Sequence, residues 1–498
     1  MEDTVVLTAD STLMSDYRTN EFLGFGTCAP SNFVPDFVYR RLFFPPLKTE
    51  DGKPVSAPYG LRKIEAQLVK EGFKVVTVSP EHLGAWIPKA KVLGIHVMDP
   101  FGLGPASSTL ASVLKKEPFL AQYFRHLFEL PEVREAKKRG LKIIVGGPGV
   151  WQLNYRPQFV EKYGIDCVID GEAENVVGKI FKAAMNGETL PANYEVSVGE
   201  TPSLDEIPSI INGSINGLVE IGRGCCRGCK FCSVTQRPLR WFPIERILEE
   251  VDVNVKAGNK GVLLHEDDVM LYGSKNTLPD YEKLIELHER VLERCEGIGW
   301  SHCSLAAVAA KPKLFAQLSR VIRRRQRWWG VEIGLETGSA ELAAKMMPAK
   351  AHPFKAQEWP QVARMGMGLC HDNMLVPACT LIVGVPEETE DDLVKTMELL
   401  DDVKDCRSLI VPLFFVPMGR LKEEDWFKDT KMTRMHEQLL IKCVQHDFHW
   451  IDDLLSISFS EGWKGTAVRP FYKLFMLLTK YKFKQAGVDT KLQTTTLR

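Results

Sequence analysis

The stretch CCRGCKFC, residues 225–232, carries four cysteines in eight positions. The chain holds twelve cysteines in 498 residues, and the other eight, at 28, 167, 295, 303, 370, 379, 406 and 443, are isolated. Cys225, Cys229 and Cys232 have the spacing C-x3-C-x2-C. Three thiolates can hold three irons of a [4Fe–4S] cluster and leave the fourth iron open for chemistry. A structural zinc site reads differently. Zinc commonly takes four ligands, as two close pairs across a longer spacer, and no second pair exists here.

The loop follows LVEIG (218–222), the first of a series of short β-branched runs. GVLLH (261–265), GIGWSHC (297–303), GVEIGL (330–335), CTLIVGV (379–385) and LIVPLFF (409–415) continue it, with amphipathic stretches such as IERILEEVDVNVKAG and YEKLIELHERVLERC between them. Six such units predict a partial (β/α)6 barrel over 217–425, with ligands at the carboxyl ends of its strands. The cysteine loop then sits at the ligand-binding end. From 426 to 498 the chain reads as helical and aromatic, with a polar tail at 485–498.

Upstream, VVLTA (5–9), KVVTVS (74–79), VLGIHVM (92–98), KIIVGG (142–147) and CVID (167–170) read as strands, and LRKIEAQLVKEG (61–72) as a helix. Strands alternating with helices predict an α/β domain over 1–190 with a parallel, Rossmann-like sheet. Residues 10–58, rich in Phe and Pro, interrupt it as an irregular insertion, and 191–216 reads as a linker. Glycine clusters follow several strands, in DPFGLGPAS (99–107), VGGPGVWQL (145–153) and DGEAE (170–174), where a backbone can approach a large ligand closely. No GxGxxG or GxxxxGK[ST] is present.

The whole-chain figures exclude several classes. Length predicts two or three domains. Hydrophobic residues make up 45%, charged residues 26%, and the net charge is −1, so no polyanion-binding surface is announced and no nucleic acid is expected. VIRRRQRWWG (321–330) mixes basic and aromatic residues, but it reads as an exposed helix end followed by packing tryptophans. No apolar run of about 20 residues predicts a membrane span. The acidic start MEDTVVLTAD shows no export leader, and cysteines without disulfide-like regularity predict a reducing, cytoplasmic setting.

The cysteine spacing, with an aromatic before the last Cys, resembles the radical S-adenosylmethionine (SAM) enzymes. That resemblance implies a [4Fe–4S] cluster on Cys225, Cys229 and Cys232, with Cys226 a bystander and Phe231 against the adenine. It implies SAM chelated to the open iron and cleaved to a 5′-deoxyadenosyl radical. LLHEDDVMLYG (263–273) matches the segment that binds the methionine ammonium, through Glu266 or Asp267. EIGLETGS (332–339) matches the fourth-strand segment, with Glu336, Thr337 and Ser339 as ribose or carboxylate contacts. LIVGVPEETEDD (381–392) resembles the turn that passes near the adenine.

In the first half, APYGLRKIEAQL (57–68) and the three glycine segments resemble the cobalamin-binding domain of one subclass of these enzymes. The resemblance implies cobalamin contacts from Tyr59, Asp99, Pro100, Gly102, Gly104, Gly146, Gly147, Gly149, Gly171 and Glu172. The familiar D-x-H-x-x-G is absent. His82 lacks the Asp and His96 reads as a core strand histidine, so the expectation is cobalamin without a histidine lower ligand. The implied activity is transfer of a methyl group to an unactivated carbon. KMMPAKAHPFKAQEW (345–359) looks most like archaeal members, one group of which methylates a glutamine of methyl-coenzyme M reductase. A protein or peptide substrate and an electron donor such as ferredoxin or flavodoxin follow from that likeness. The alternatives are ring formation or carbon–carbon coupling on archaeal lipids, for which RPFYKLFMLLTKYKF (469–483) could line a groove, and a non-methylating cobalamin or iron–sulfur protein.

Overall fold

The structure is a computed structural model that describes residues 4–17, 21–29, 35–458, 462–485 and 489–491. Parts of the expected insertion (18–20 and 30–34) and most of the expected polar tail lie outside these residues. The chain forms two compact units, Met1–Val219 with Glu245–Asn259, and Glu220–Ile244 with Lys260–Arg498.

In the first unit β1 (Thr4–Ala9), β2 (Lys74–Thr77), β3 (Ala90–His96), β4 (Lys142–Gly146), β5 (Cys167–Asp170) and β6 (Asn193–Glu195) form one sheet in the order 2-1-3-4-5-6. Every pairing in it is parallel. Period-two alternation covers both faces. Val6 of β1 joins Leu93, Ile95 and Val145 in one core. Val5 and Leu7 face the other way, with Val92 and Ile144, onto Leu61 and Leu68 of α2 (Tyr59–Lys70). A sheet apolar on both faces is the doubly wound arrangement, and here strand order reverses between β1 and β3. Ligands of such sheets bind beyond the carboxyl ends at that reversal.

Two expectations change. The insertion contains a helix, α1 (Asp36–Phe43), whose Tyr39 packs within 5.1 Å of Phe119. The expected linker supplies β6, and its remainder is tied to α2 by buried cations. Arg62 Nε donates to Gly213 O at 2.9 Å, and Lys63 Nζ donates to Pro208 O at 2.8 Å. Lys63 also meets Glu250 at 2.5 Å and Tyr59 Oη donates to the same carboxylate at 2.6 Å. Buried Lys and Glu must be paired, which fixes where the start of α2 lies.

The expected glycine loops all reach the carboxyl edge of the sheet, but their glycines serve the protein's own packing. A Cβ on Gly147 (φ +117°) would lie 2.4 Å from Val97 O, and one on Gly149 would lie 2.2 Å from Met98 O. A Cβ on Gly102 would meet Pro118, one on Gly104 Asp99, and one on Gly171 Val196. Gly146 differs, with its nearest neighbour at 3.9 Å. Asp99 Oδ1 accepts from Gly104 N (2.9 Å) and from Gln152 Nε2 (2.6 Å), while Gln152 Oε1 accepts from Phe101 N at 3.0 Å. Asp99 and Gln152 therefore lock the loop that opens α3 (Pro105–Leu114).

The second unit contains β7 (Gly222–Arg223), β8 (Arg240–Trp241), β9 (Gly261–His265), β10 (Gly297–Trp300), β11 (His302–Cys303), β12 (Trp329–Glu336), β13 (Leu375–Val383) and β14 (Leu409–Phe414). β9 pairs β10, and β11 to β14 pair in sequence order, all parallel. Ser301 joins the two runs, since its N–H donates to Leu264 O and its carbonyl accepts from Glu332 N, both at 2.9 Å. The arginines of VIRRRQRWWG are exposed and Trp329 packs on Trp300, at the amino end of β12. Helices Arg434–Ser458 and Gly462–Gln485 end the described chain. No helix among the described residues is long and apolar enough to cross a membrane.

Gly149→Ala is expected to cost about 2 kcal/mol or more, the range for overpacking against backbone that cannot give way, while Gly146→Ala stays near neutral in urea unfolding. Asp10, buried after β1 and bonded by Thr12, has its pKa raised by burial from 3.8 to about 6. A raised carboxylate costs nothing below its unfolded value, costs more as pH rises from there, and costs the full amount above its folded value. Asp10→Asn should thus stabilise the protein by about 3 kcal/mol at pH 7, and the gain should vanish by pH 4 in parallel unfolding curves.

Candidate functional site

The cysteine loop is closed at its base by β7 and β8, where Gly222 pairs Trp241 and Arg223 pairs Arg240. Gly224 opens the loop at φ +88°, with a Cβ position 2.5 Å from Pro238 O, so a side chain does not fit. Cys229 is buried, Cys225 and Cys232 are half-buried, and Cys226 is exposed. Phe231 is half-buried beside Cys232.

One guanidinium docks the loop. Arg227 is buried, and its Nε donates to Asp268 Oδ2 at 2.8 Å. Its Nη1 donates to Lys350 O at 2.9 Å and reaches His352 O at 3.2 Å, while Nη2 has no partner among the described residues. Asp268 in turn accepts from Ser304 Oγ at 2.7 Å and Ser304 N at 3.1 Å. Lys230 N adds a bond to Met346 O at 2.9 Å.

The acidic segment HEDD (265–268) lies at the carboxyl end of β9. Glu266 is buried; its Oε2 accepts from Asp268 N, and its Oε1 has no partner among the described residues. Burial pushes the Glu266 carboxyl well up, with Asp267 adding to it. Burial also pushes Asp267 up, opposed by His302 and His265. A buried carboxylate oxygen without a donor is costly unless a cation or donor arrives. A ligand ammonium meets that need.

Glu336 ends β12 at φ +62°, in the left-handed region that bulky residues rarely adopt. Lys350 Nζ donates to its Oε1 at 2.5 Å and Thr380 Oγ1 to its Oε2 at 3.3 Å. Both groups lie where a Cβ on Gly334 would be, so that glycine makes room for the pair. Thr337 and Ser339 are buried and already engaged. Thr337 Oγ1 accepts from Ser339 N at 3.1 Å, and Ser339 Oγ caps the helix Ala340–Met346 by accepting from Leu342 N at 3.2 Å. The structure thus gives Glu266 and Asp267 as carboxyl groups open to a ligand, with Glu336 paired to Lys350, while the hydroxyls of Thr337 and Ser339 shape the turn.

The thiols fit iron. Burial pushes Cys225 and Cys232 up and Cys229 to about 11, and the Lys350 ammonium pulls Cys229 and Cys232 the other way. Such thiols become thiolates when a metal takes them. No three Cys, His, Asp or Glu side chains among the described residues converge on a single ion. A [4Fe–4S] cluster asks for less convergence, because each cysteine binds a different iron. Arg227 and Lys350 escape a reading of motifs, since their partners lie 41 and 14 residues away. The one available signal is a basic residue inside the cysteine run.

Residues 219–400 match the family model described as Radical SAM superfamily. A Methanocaldococcus jannaschii protein named as a methylthiotransferase is 25% identical over 286 residues, covering 55% of this chain and 60% of its own. The tRNA-2-methylthio-N(6)-dimethylallyladenosine synthase of Thermotoga petrophila is 28% identical over 268 residues, covering 53% and 57%. The chain therefore spans less than two thirds of the length of these curated relatives. Among solved structures, the radical S-adenosylmethionine methyltransferase TsrM of Kitasatospora setae, with cobalamin and a [4Fe–4S] cluster bound, aligns over 84% of this chain and 74% of its own, with a TM-score of 0.53 and 14% identity. The same enzyme with tryptophan and a SAM analogue bound aligns with a TM-score of 0.54 over 84% and 75%. At that identity the likeness is one of fold. The cysteine loop, the acidic segment after β9 and Glu336 at the end of β12 all lie within the residues that match that family model.

Proposed function

We propose that this protein is a cobalamin-dependent radical SAM methyltransferase that places a methyl group on an unactivated carbon. One observation carries the reading: a radical SAM cysteine loop and a doubly wound sheet with its glycine loops gathered at the carboxyl edge occur in one chain. When bound and reduced, a [4Fe–4S] cluster would supply the electron for SAM cleavage to a hydrogen-abstracting radical. Cys225, Cys229 and Cys232 would hold the cluster, and Glu266 with Asp267 would accept from the methionine ammonium of SAM. Phe231 would lie against the adenine.

Cobalamin, when bound, carries the methyl group. Its contacts would come from the carboxyl edge of the first unit's sheet: Tyr59, Asp99, Pro100, Gly102, Gly104, Gly146, Gly147, Gly149, Gly171 and Glu172. Two features of this edge suit a large ligand. A Cβ on Gly146 would meet nothing nearer than Ile169 O, at 3.9 Å, and Ser107 Oγ, near the start of α3, is buried without a partner among the described residues. His96 is the last residue of β3, half-buried, with its ring between Gly60 and Gly147. Burial lowers its pKa to about 4, so the imidazole is neutral. It stands at the carboxyl end of β3.

The substrate we propose is a peptide or protein, with the glutamine of methyl-coenzyme M reductase first to be tried, and ferredoxin or flavodoxin as electron donor in the cytoplasm. Methylthiolation is the second reading, favoured by the names of the sequence relatives. Mass spectrometry of candidate peptides after anaerobic turnover separates the two. A methyl-sized gain supports the proposal, a methylthio-sized gain supports the second reading, and 5′-deoxyadenosine without any gain points to ring formation or coupling.

Each of Cys225→Ala, Cys229→Ala and Cys232→Ala is expected to abolish formation of 5′-deoxyadenosine, whereas Cys226→Ala keeps it. Loss in Cys226→Ala with activity in Cys225→Ala would reverse the ligand set. Cobalamin should co-purify with the reconstituted chain, and its cob(II)alamin form should lack nitrogen superhyperfine splitting in electron paramagnetic resonance. Splitting that disappears in His96→Ala would assign His96 to cobalt and overturn the histidine-free expectation.

A further inference from the structure

The helix Gly462–Gln485 leaves an apolar stripe in water. Leu474, Leu477, Leu478 and Tyr481 are 56%, 63%, 39% and 58% exposed. They recur at i, i+3, i+4 and i+7, which places them on one face. The opposite side is the packed one, with Tyr472 buried and Lys480 lying over the Phe448 ring of the preceding helix, 5.2 Å from its centroid. The helix therefore has two apolar faces, and only one has a partner among the described residues.

Charge says what the second face meets. The 24 residues hold six basic side chains, Lys464, Arg469, Lys473, Lys480, Lys482 and Lys484, and no Asp or Glu. At 3.6 residues per turn, Lys473 and Lys484 border one edge of the stripe and Lys482 the other. All three are exposed. Lysines flanking an apolar stripe reach outward to anionic groups while their stems lie along the apolar surface. A second copy of the same helix would bring like charges face to face, which opposes pairing. The chain as a whole carries a net charge of −1, so this one-signed helix is a local departure.

We propose that this helix lies in the surface of an anionic lipid bilayer, with Leu474, Leu477, Leu478 and Tyr481 inserted among the lipids and Lys473, Lys482 and Lys484 at the headgroups. The association is peripheral and does not depend on the cobalamin reading. It would bring the enzyme to the membrane face.

The test is flotation of the full-length reconstituted protein with vesicles of phosphatidylglycerol and phosphatidylcholine, against vesicles of phosphatidylcholine alone. Wild type should float with the anionic vesicles and be released as salt rises. Replacing Lys473, Lys482 and Lys484 by Gln should weaken binding about tenfold or more, because each lysine contributes to the attraction. The triple change Leu474→Glu, Leu477→Glu and Tyr481→Glu should abolish binding while iron content and circular dichroism stay unchanged. As a readout that needs no folding of that variant, Leu477→Cys carrying a polarity-sensitive dye should shift to the blue only with anionic vesicles. Wild type that stays unbound, or floats equally with neutral vesicles, overturns the proposal. A concentration-dependent dimer, broken by the triple change and without vesicle binding, also overturns it and assigns the face to a second copy.

Discussion

The candidate site depends on one buried ion pair, Arg227 with Asp268. A guanidinium and a carboxylate taken out of water are costly unless nearly every hydrogen-bonding position is used. Here Arg227 bonds the carboxylate and the carbonyls of the 349–352 turn, and Asp268 holds Ser304 at the start of the next helix. The pair thereby ties together the cysteine loop, the end of β9 and the turn that presents Lys350. Removing one partner of such a pair typically costs about 3–5 kcal/mol, because the other charge stays buried. Loop position and site electrostatics are consequently one problem, with one solution.

That solution sets charges in an order around the thiols. Burial raises all three thiols; Asp268, Asp267 and Glu266 push Cys225 further up and Asp267 also raises Cys232, while Lys350 pulls Cys229 and Cys232 down. Lys350 reaches that position only because Gly334 offers no side chain and Glu336 adopts φ +62° to meet it. Strain of this kind persists where the surroundings over-determine it, which is common at functional sites. Glu266 Oε1 is the open valence of the arrangement. Glu336 and Asp268 are already bonded inside the protein, to Lys350 and Arg227, whereas this oxygen still calls for a donor.

Much of this was legible in the sequence, for physical reasons that differ by element. β1 to β5 and β9 to β14 show themselves because strands buried on one or both faces need β-branched runs. The cysteine loop shows itself because three thiolates at short spacing have few other uses. β6 was missed because an edge strand of three residues carries no periodicity. The bonds that Thr337 and Ser339 make within their own turn do not show, because a capping hydroxyl and a ligand-binding hydroxyl look alike in sequence. At Gly147 and Gly149 one group that approaches is the protein's own Val97–Pro100 loop. A glycine signals close approach without naming what approaches. Arg227 and Lys350 were invisible as a system because their partners lie 41 and 14 residues away.

The last helix shows the same limit from another direction. A helix with one apolar face announces itself by period, but Gly462–Gln485 has two, and their signals largely cancel. RPFYKLFMLLTKYKF then reads as a generic packed helix. Burial separates the faces, since Tyr472 is enclosed and Leu477 is not. Charge adds what burial cannot. A helix built to pack on protein along both faces has no reason to exclude acidic residues, because mixed signs lower self-repulsion and support pairs four residues apart. Excluding them is useful against a surface that is itself uniformly negative, where each acid would repel and each lysine would attract. The sign of the charges therefore carries the information that hydrophobic periodicity loses.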